Sequence, residues 1–225
     1  MRAAVGDVWR CGALPIVVGG TGLYFKALLE GLSPIPAVPD AVREHWRGEA
    51  KRLEPAELHA VLAARDRATA ARLAPTDRQR VTRALEVLDA TGRGLADWQR
   101  EPGEPVLTAG DALLLVTAPD REALYRGADA RLDWMVANGA VDEAARLGER
   151  GLPAELPVMR ALGVAPLLSA VRGECSVVEA TAQAKRDTRH YIKRQETWLR
   201  RNMIAWKHIS AQDMDDFSSK FFTLI

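Results

Sequence analysis

Residues 17–31, VVGGTGLYFKALLEG, limit the possible folds more than any other stretch of the chain. A β-branched run meets two glycines, a threonine and a third glycine, and a helix-like pattern follows. Glycines after a strand permit positive φ and a close backbone approach, and the N–H groups that open the next helix can bind an anion. We therefore predict a buried strand at residues 14–18, a helix that ends at Gly31, and a ligand site at the turn between them.

Thr21, inside that turn, has two interpretations that the sequence leaves open. Its hydroxyl can face a ligand, or it can cap the following helix by accepting a backbone N–H. The turn is not a Walker A loop, because the pattern G-x-x-x-x-G-K-[ST] occurs nowhere in the 225 residues.

The remainder of the chain alternates helical patterns with one more apolar run. Residues 40–92 are predicted to be helical, residues 112–118 to form a second buried strand, and residues 120–139 to open a further helical region that continues to about residue 206. This order favours an α/β fold with an inserted helical part. No apolar run approaches the ~18 residues that span a bilayer. The two cysteines, Cys11 and Cys175, are too few for a disulfide framework, so we expect a cytoplasmic protein.

Positive charge is concentrated near the C-terminus, although the whole chain carries only +1. Residues 185–207 hold eight Lys or Arg against two acids, so this segment is +6 and the remainder −5. At about 100° per residue, one helix face is cationic and the opposite face is apolar. We expect four cations in line with no acid interleaved among them, which favours an anionic partner over an ordinary solvated face. Its members are Arg186, Arg189, Lys193 and Arg200, and the predicted apolar face is Ala184, Tyr191, Ile192, Trp198 and Leu199.

The segment TDRQRVTRALEV, residues 76–87, repeats this arrangement on a smaller scale. An apolar stripe at helix spacing leaves Gln79, Arg80 and Arg83 on another face. Asp77 or Thr76 can cap the helix start. Arginine and glutamine can pair with phosphates or base edges, while a plain surface helix remains the alternative. The predicted apolar stripe is Val81, Ala84, Leu85 and Leu88.

Five blocks of the sequence, in this order, resemble the tRNA dimethylallyltransferases, which modify an adenine beside the anticodon. They are VGGTGLYFKALLEGLSPIP, DRQRVTRALEV, DREALY with RLDWM, MRALG, and AKRDTRHYIKRQETWLR. The resemblance extends from residue 14 to about residue 206. Five ordered blocks are far more specific than a single glycine motif.

The resemblance implies a reaction and an architecture. A dimethylallyl group passes from dimethylallyl diphosphate to N6 of adenine 37 of a tRNA, and diphosphate leaves. The implied fold is a P-loop-NTPase-like parallel sheet core with a helical insertion and C-terminal helices. Residues 1–33 would be part of the core, 34–105 the insertion that grips the anticodon stem, and 106–225 the rest of the core with the basic helices. The implied partners are the anticodon stem-loop, the diphosphate donor and Mg²⁺, and we expect a monomer without membrane contact.

Site residues are also implied, position by position. Thr21 and Arg131 would be catalytic, and Gly19, Gly20 and Arg131 would bind the diphosphate. The target adenine must leave its stack to be reached. The residues that would contact tRNA are Thr21, Arg43, Gln79, Arg80, Val81, Thr82, Arg83, Arg160, Gly163, Arg189, Lys193, Arg194, Gln195, Trp198 and Arg200.

The chain also departs from the family pattern. Gly127 stands where the family has an arginine, Gly163-Val164 replaces Gly-Tyr, and Asp66-Arg67 replaces Asp-Pro. The family's GPTxSGK[ST] loop and DSxQ-type segment, whose aspartate acts as general base and which with the loop would supply most Mg²⁺ ligands, are absent from these residues.

We therefore expect a chain without the first ~90 residues of a family member, as judged from the strand–loop–helix units that it lacks. Such a chain would transfer the prenyl group poorly or not at all. The alternatives are a catalytically inert RNA-binding remnant and a kinase-like nucleotide-binding protein. The RNA-related blocks weigh against the second of these.

Overall fold

Helices make up most of the protein in the computed structural model, which describes residues 2–210 and Ser218. Among these residues, no helix is both long enough and apolar enough to cross a bilayer. The α-helices of the described part, in chain order, are α1 (Arg2–Arg10), α2 (Gly22–Leu29), α3 (Asp40–Arg52), α4 (Pro55–Arg65), α5 (Arg67–Ala70), α6 (Arg78–Thr91), α7 (Leu95–Trp98), α8 (Arg121–Ala137), α9 (Ala140–Glu149), α10 (Val164–Val171) and α11 (Val177–Asn202).

Two short strands, β1 (Leu115–Thr117) and β2 (Lys207–Ile209), form a parallel pair. Val116 lies opposite His208 in the register. The pair is extended by a hydrogen bond from the Ala118 amide to the Ile209 carbonyl oxygen, at 2.8 Å. Val116 and Ile209 are both buried. The predicted strand within residues 112–118 and the α/β class are confirmed, whereas the sequence pattern does not predict β2.

The strand predicted at residues 14–18 is wrong, because residues 13–19 have no regular secondary structure. Leu14, Ile16 and Val18 are more than three-quarters exposed. β-propensity and apolar character do not make a strand by themselves, since a strand needs a neighbour for its backbone N–H and C=O groups. No described strand pairs with this segment.

The helix after the glycine turn forms as predicted and ends before Gly31, whose φ is +74°. A side chain at Gly31 would collide with the backbone of Gly103. Glycine is therefore required there for both its conformation and its close contact. The Leu28 carbonyl oxygen accepts hydrogen bonds from the amides of Val106 (2.8 Å) and Leu107 (3.0 Å).

The chain divides into two compact units. The first contains the described residues up to Val18 and Leu23–Ala112, and the second contains Gly19–Gly22 and the described residues from Leu113 onward. The boundaries at residues 33 and 105 that the resemblance implies remain a prediction.

In the first unit, α3, α4 and α6 enclose the core. Leu58, Leu62, Val81 and Leu85 are fully buried. Three of the four residues of the predicted stripe, Val81, Ala84 and Leu85, are therefore on the buried face of α6, whereas Leu88 is half-buried. Of the two predicted caps, Asp77 is the one used, and its Oδ1 accepts from the Arg80 amide at 3.1 Å.

In the second unit, α9, α10 and α11 share a core, and α8 packs along α11. Small and branched side chains allow the helices to approach closely, among them Ala144, Leu168 and Ala180. The 26-residue helix α11 begins at a capping box, in which the Ser176 hydroxyl accepts from the Glu179 amide. This helix carries most of the residues that the sequence predicts to bind RNA.

Candidate nucleic-acid interface

The glycine turn at residues 19–22 lies directly against the C-terminal part of α11. Gln195 Nε2 donates to the Gly20 carbonyl oxygen at 2.9 Å. A Cβ added to Gly20 would overlap the Gln195 amide, and one added to Gly22 would overlap the Trp198 ring. Neither residue has positive φ. These two glycines therefore serve close packing against α11.

Thr21 stands between the two packed glycines with its side chain exposed. Helix α2 begins at the next residue, so Thr21 has the position of an N-cap. Among the described residues, no backbone amide donates to its hydroxyl. The structure therefore lacks the hydrogen bond that the capping interpretation requires, and the hydroxyl faces outward from a fixed turn.

The cationic stripe on α11 is partly neutralised by helix α8. Arg189 Nε donates to Asp129 Oδ1 at 3.2 Å, and a second guanidinium nitrogen also contacts Asp129. The hydrogen bond from Arg189 lowers the pKa of Asp129 below its usual value. Lys185 pairs with Asp133 at 2.6 Å in the same way. The prediction that no acid lies on this stripe is wrong, because Glu196 lies on the same face of α11, three residues after Lys193 and four before Arg200. Glu196 accepts a hydrogen bond from Arg121 of α8 at 2.8 Å. Helix α8 adds Asp129 beside Arg189 and Asp133 beside Lys185, a neighbour of the stripe.

The opposite face of α11 is only partly the predicted apolar face. Ala184 and Ile192 are buried, whereas Trp198 and Leu199 are half-buried. Tyr191 is exposed, and its ring lies 5.7 Å from the Arg194 guanidinium carbon. The prediction of Tyr191 as a core residue is therefore wrong: its ring lies beside the Arg194 guanidinium and is open to solvent.

Two adjoining grooves follow α11, and both are lined by His190 and Arg194. The larger has a volume of about 480 Å³ and the smaller about 230 Å³. The larger groove adds Lys193, Thr197, Trp198, Arg201 and Asn202 to the two shared residues. The smaller one adds, among others, Arg160, Gly163 and Asp187.

The structure thus brings together five residues that the resemblance assigns to tRNA: Arg160, Gly163, Lys193, Arg194 and Trp198. Aromatic and cationic side chains in one groove suit an unstacked base and its phosphates. The sequence reasoning missed His190, Thr197, Arg201 and Asn202. Their spacing of three or four residues from Lys193, Arg194 and Trp198 is the signal that could have found them.

Other predicted residues of the second unit lie apart from these grooves. Arg131 is exposed on α8 and lines neither groove. Gly19 and Gly20 also line neither, and the Gly20 carbonyl oxygen is engaged by Gln195. The three residues predicted to hold diphosphate are therefore absent from the lining of both grooves. Of the remaining predicted tRNA contacts on α11, Gln195 donates its side-chain hydrogen bond to the glycine turn, and Arg200 is exposed.

In the first unit, the predicted tRNA residues divide into exposed and buried groups. Gln79, Arg80 and Arg83 are exposed on α6. Arg43, on α3, is half-buried and pairs with Asp40 at 3.3 Å.

Val81 and Thr82 are buried, so their side chains are not open to solvent, and the contact of these two residues with tRNA stays a prediction. Thr82 Oγ1 donates to the Arg78 carbonyl oxygen at 2.7 Å, and Val81 belongs to the core. The sequence block DRQRVTRALEV, which contains both residues, therefore includes side chains that pack inside the first unit.

Comparison with known proteins agrees with the resemblance that the five sequence blocks indicate. The IPP transferase family model matches residues 1–202. A tRNA dimethylallyltransferase of Beijerinckia indica is 51% identical over 208 residues, which are 92% of this chain and 69% of the relative. One from Bradyrhizobium sp. strain BTAi1 is 52% identical over 202 residues, 90% of this chain and 66% of the relative. The chain spans about two thirds of the length of these relatives.

Solved structures give the same result. The tRNA isopentenylpyrophosphate transferase of Bacillus halodurans superposes with a TM-score of 0.61 at 28% identity, over 99% of this chain and 69% of that one. A eukaryotic dimethylallyltransferase acting on tRNA superposes with a TM-score of 0.65 at 25% identity, over 88% of this chain and 50% of that one.

Proposed function

Because this chain belongs to the IPP transferase family, we propose that it takes part in the transfer of a dimethylallyl group from dimethylallyl diphosphate to a tRNA. The proposed acceptor is N6 of adenine 37, beside the anticodon, and the second product is diphosphate. Residues 1–225 would hold the anticodon stem-loop and present the flipped adenine to the donor.

One observation carries this proposal: the same end of α11 lines the larger groove and touches the turn that bears Thr21. Trp198 belongs to the groove and lies against Gly22, next to Thr21. A base that is stacked in the groove would therefore lie near an outward-facing hydroxyl. Flipping a base out of its stack costs a few kcal/mol, which stacking on aromatic side chains can offset.

In the proposed chemistry, the N6 lone pair attacks C1 of the dimethylallyl group. The N6–C1 bond forms while the C1–O bond breaks, the electron pair of that bond leaves with diphosphate, and N6 loses a proton. The Thr21 hydroxyl would accept a hydrogen bond from the remaining N6–H and orient the lone pair. Arg131 would stabilise the charge that develops on the diphosphate. The resemblance assigns the proton to an aspartate of a DSxQ-type segment, which is not among these residues.

Mg²⁺, which the resemblance implies, would shield the diphosphate charge. The described residues include no group of three or more His, Cys, Asp or Glu side chains arranged to hold a metal ion. The described side chains therefore do not form such a site by themselves, and the roles proposed for Thr21 and Arg131 do not depend on it.

Thr21→Ala tests the proposal directly, in a form of the enzyme that turns over. If the hydroxyl orients N6 in the transition state, kcat should fall roughly 10- to 100-fold while KM for tRNA changes little. Thr76→Ala, at an exposed position of the first unit, is the matched control and should leave kcat unchanged. A fall in melting temperature that accounts for the lost activity would instead support the capping role.

Lys193→Ala tests the RNA groove through the salt dependence of binding. Lys193 lines the larger groove, so its loss should weaken tRNA binding and lower the slope of log Kd against log salt by about one unit. The charge-neutral double change Asp129→Asn with Arg189→Gln should leave the slope unaltered, because the two charges already pair. Fluorescence anisotropy over a KCl series measures the tRNA affinity of each variant and the slope of its salt dependence. If the double variant lowered the slope as much as Lys193→Ala does, Arg189 would contact a phosphate even though it pairs with Asp129.

A further inference from the structure

Glu86, on α6, is a buried carboxylate in the first unit with an arginine at each oxygen. Its side chain is only 7% exposed. Arg83 Nη1 donates to Oε2 at 3.2 Å, and Arg47 Nε lies 3.7 Å from Oε1. Burying a carboxylate is costly unless it is paired, so both guanidiniums are held to this carboxylate.

The two arginines come from different helices and remain open to solvent. Arg47 belongs to α3 and its side chain is 65% exposed, whereas Arg83 belongs to α6 and is 44% exposed. A guanidinium has five N–H donors, and each contact with Glu86 uses few of them. Most donors of both groups therefore remain available to a ligand, and the three side chains together carry a net charge of +1.

We propose that Arg47 and Arg83, positioned by Glu86, form a clamp for one phosphodiester group of an RNA stem. Guanidiniums bind phosphate oxygens bidentately, and two of them fixed by one carboxylate lose less side-chain freedom on binding than two mobile ones. Arg80, one turn before Arg83, is 75% exposed but pairs with Asp77 at 3.4 Å, so the proposed clamp rests on Arg47 and Arg83 alone. Neither Arg47 nor Glu86 is assigned to RNA by the family resemblance.

This inference rests on the proposed function in its choice of ligand, since a family that acts on tRNA favours phosphodiester over an acidic protein. A purely structural bridge between α3 and α6 is the competing explanation. A structural bridge needs only one guanidinium contact from each helix, and the N–H donors that face solvent would have no function in it. The two explanations differ in what happens to RNA binding when the exposed partner is removed.

The test measures binding of the full chain to an unmodified tRNA with adenine 3′ to the anticodon, and to an unrelated RNA hairpin. Arg47→Ala should weaken both about tenfold and lower the salt slope by about one unit, with little change in melting temperature. Arg52→Ala is the matched control. It removes the same charge from the same helix, but Arg52 pairs with Glu49 at 2.5 Å, and the change in affinity should stay within about twofold. Equal effects of the two variants would overturn the clamp.

Two further variants separate positioning from charge. Arg47→Lys keeps the charge but loses the planar fork, so the clamp predicts a loss of affinity between those of the wild type and Arg47→Ala. Glu86→Gln removes one negative charge and so raises the net charge of the protein by one. It should nevertheless weaken RNA binding, because no carboxylate then fixes the two guanidiniums in place. Stronger binding by Glu86→Gln would overturn the positioning role. If this variant does not fold, the double-mutant cycle of Arg47→Ala and Arg83→Ala takes its place, and additive losses would overturn the clamp.

The outcomes separate this inference from the proposed function. Binding of tRNA and hairpin that depends on Arg47, with no prenyl transfer under any condition, supports the clamp and overturns the function. Transfer with RNA binding that ignores Arg47 overturns the clamp alone. Binding of polyglutamate but not RNA, dependent on Arg47, would assign the surface to an acidic protein and overturn the clamp. No binding of any RNA overturns both.

Discussion

The 225-residue chain should bind an anticodon stem-loop and yet transfer no measurable dimethylallyl group until a phosphate-binding segment is supplied. A diphosphate leaving group needs concentrated positive charge and backbone N–H donors, as a P-loop with its lysine provides. These residues offer an exposed Arg131 that lines neither groove, and no G-x-x-x-x-G-K-[ST] pattern. Loss of electrostatic stabilisation at one group alone can cost about 10²–10³ in rate. The combined effect should place turnover below detection.

The measurement is transfer of labelled dimethylallyl from its diphosphate to an unmodified tRNA transcript. The chain is assayed alone and fused behind a segment that bears GPTxSGK[ST] and the DSxQ-type aspartate, taken from a relative such as that of Beijerinckia indica once both motifs are verified there. Fusion should restore transfer. The matched control is the same fusion with the lysine of the loop changed to alanine. Strong transfer by the unfused chain would contradict the prediction and place the base among residues 1–225. Binding without transfer in every form would favour the inert RNA-binding alternative.

Gly22→Ala should reduce transfer by about 100-fold in the active form, although it adds a single methyl group. The new Cβ would overlap the Trp198 ring, and an aromatic ring cannot shorten to make room. Either the turn leaves α11 or the ring leaves the groove, and both displace Thr21 from the bound base. A misplacement of about 1 Å at a reacting group can cost about 10² in rate. The readouts are kcat and melting temperature.

Gly127→Ala, in the middle of α8, is the control for this change. Nothing lies within 4 Å of a Cβ there, so the variant should be stabilised by about 0.5–1 kcal/mol. A second comparison places Gly22→Ala in a Trp198→Leu background, where a smaller side chain leaves space. The further loss of activity should then be much smaller than in the wild-type background. An equally large loss would show that Gly22 is required for some reason other than contact with Trp198.

The family and the local helices could be predicted from the sequence because both depend on short-range patterns. The resemblance in five ordered blocks is confirmed. The stripe at residues 81–88 and the Asp77 cap follow from helix periodicity and capping chemistry, which act within a few residues.

What could not be predicted depends on which elements meet in space. Asp129 neutralises Arg189 because α8 packs on α11, and the wheel of a single helix contains no such information. Likewise, β-propensity at residues 14–18 does not specify a partner strand, and β2 is recognisable only through its pairing with β1. The sequence pattern assigns the glycines of the turn to a ligand, whereas in the structure Gly22 is required by the Trp198 ring and Gly20 lies close to the movable end of the Gln195 side chain.

The parallel pairing of β1 and β2 has a consequence for how the second unit assembles. Leu115 and Lys207 face each other across about 90 residues of intervening chain, and closing such a loop costs ~4 kcal/mol of entropy before any strand contact forms. Two three-residue strands cannot repay that cost alone. Helices α8 to α11 are local and can shorten the span first. The sheet would then be the last part of the unit to fold, and the Ala118 amide, bonded to Ile209, would be among the last to gain protection from hydrogen exchange.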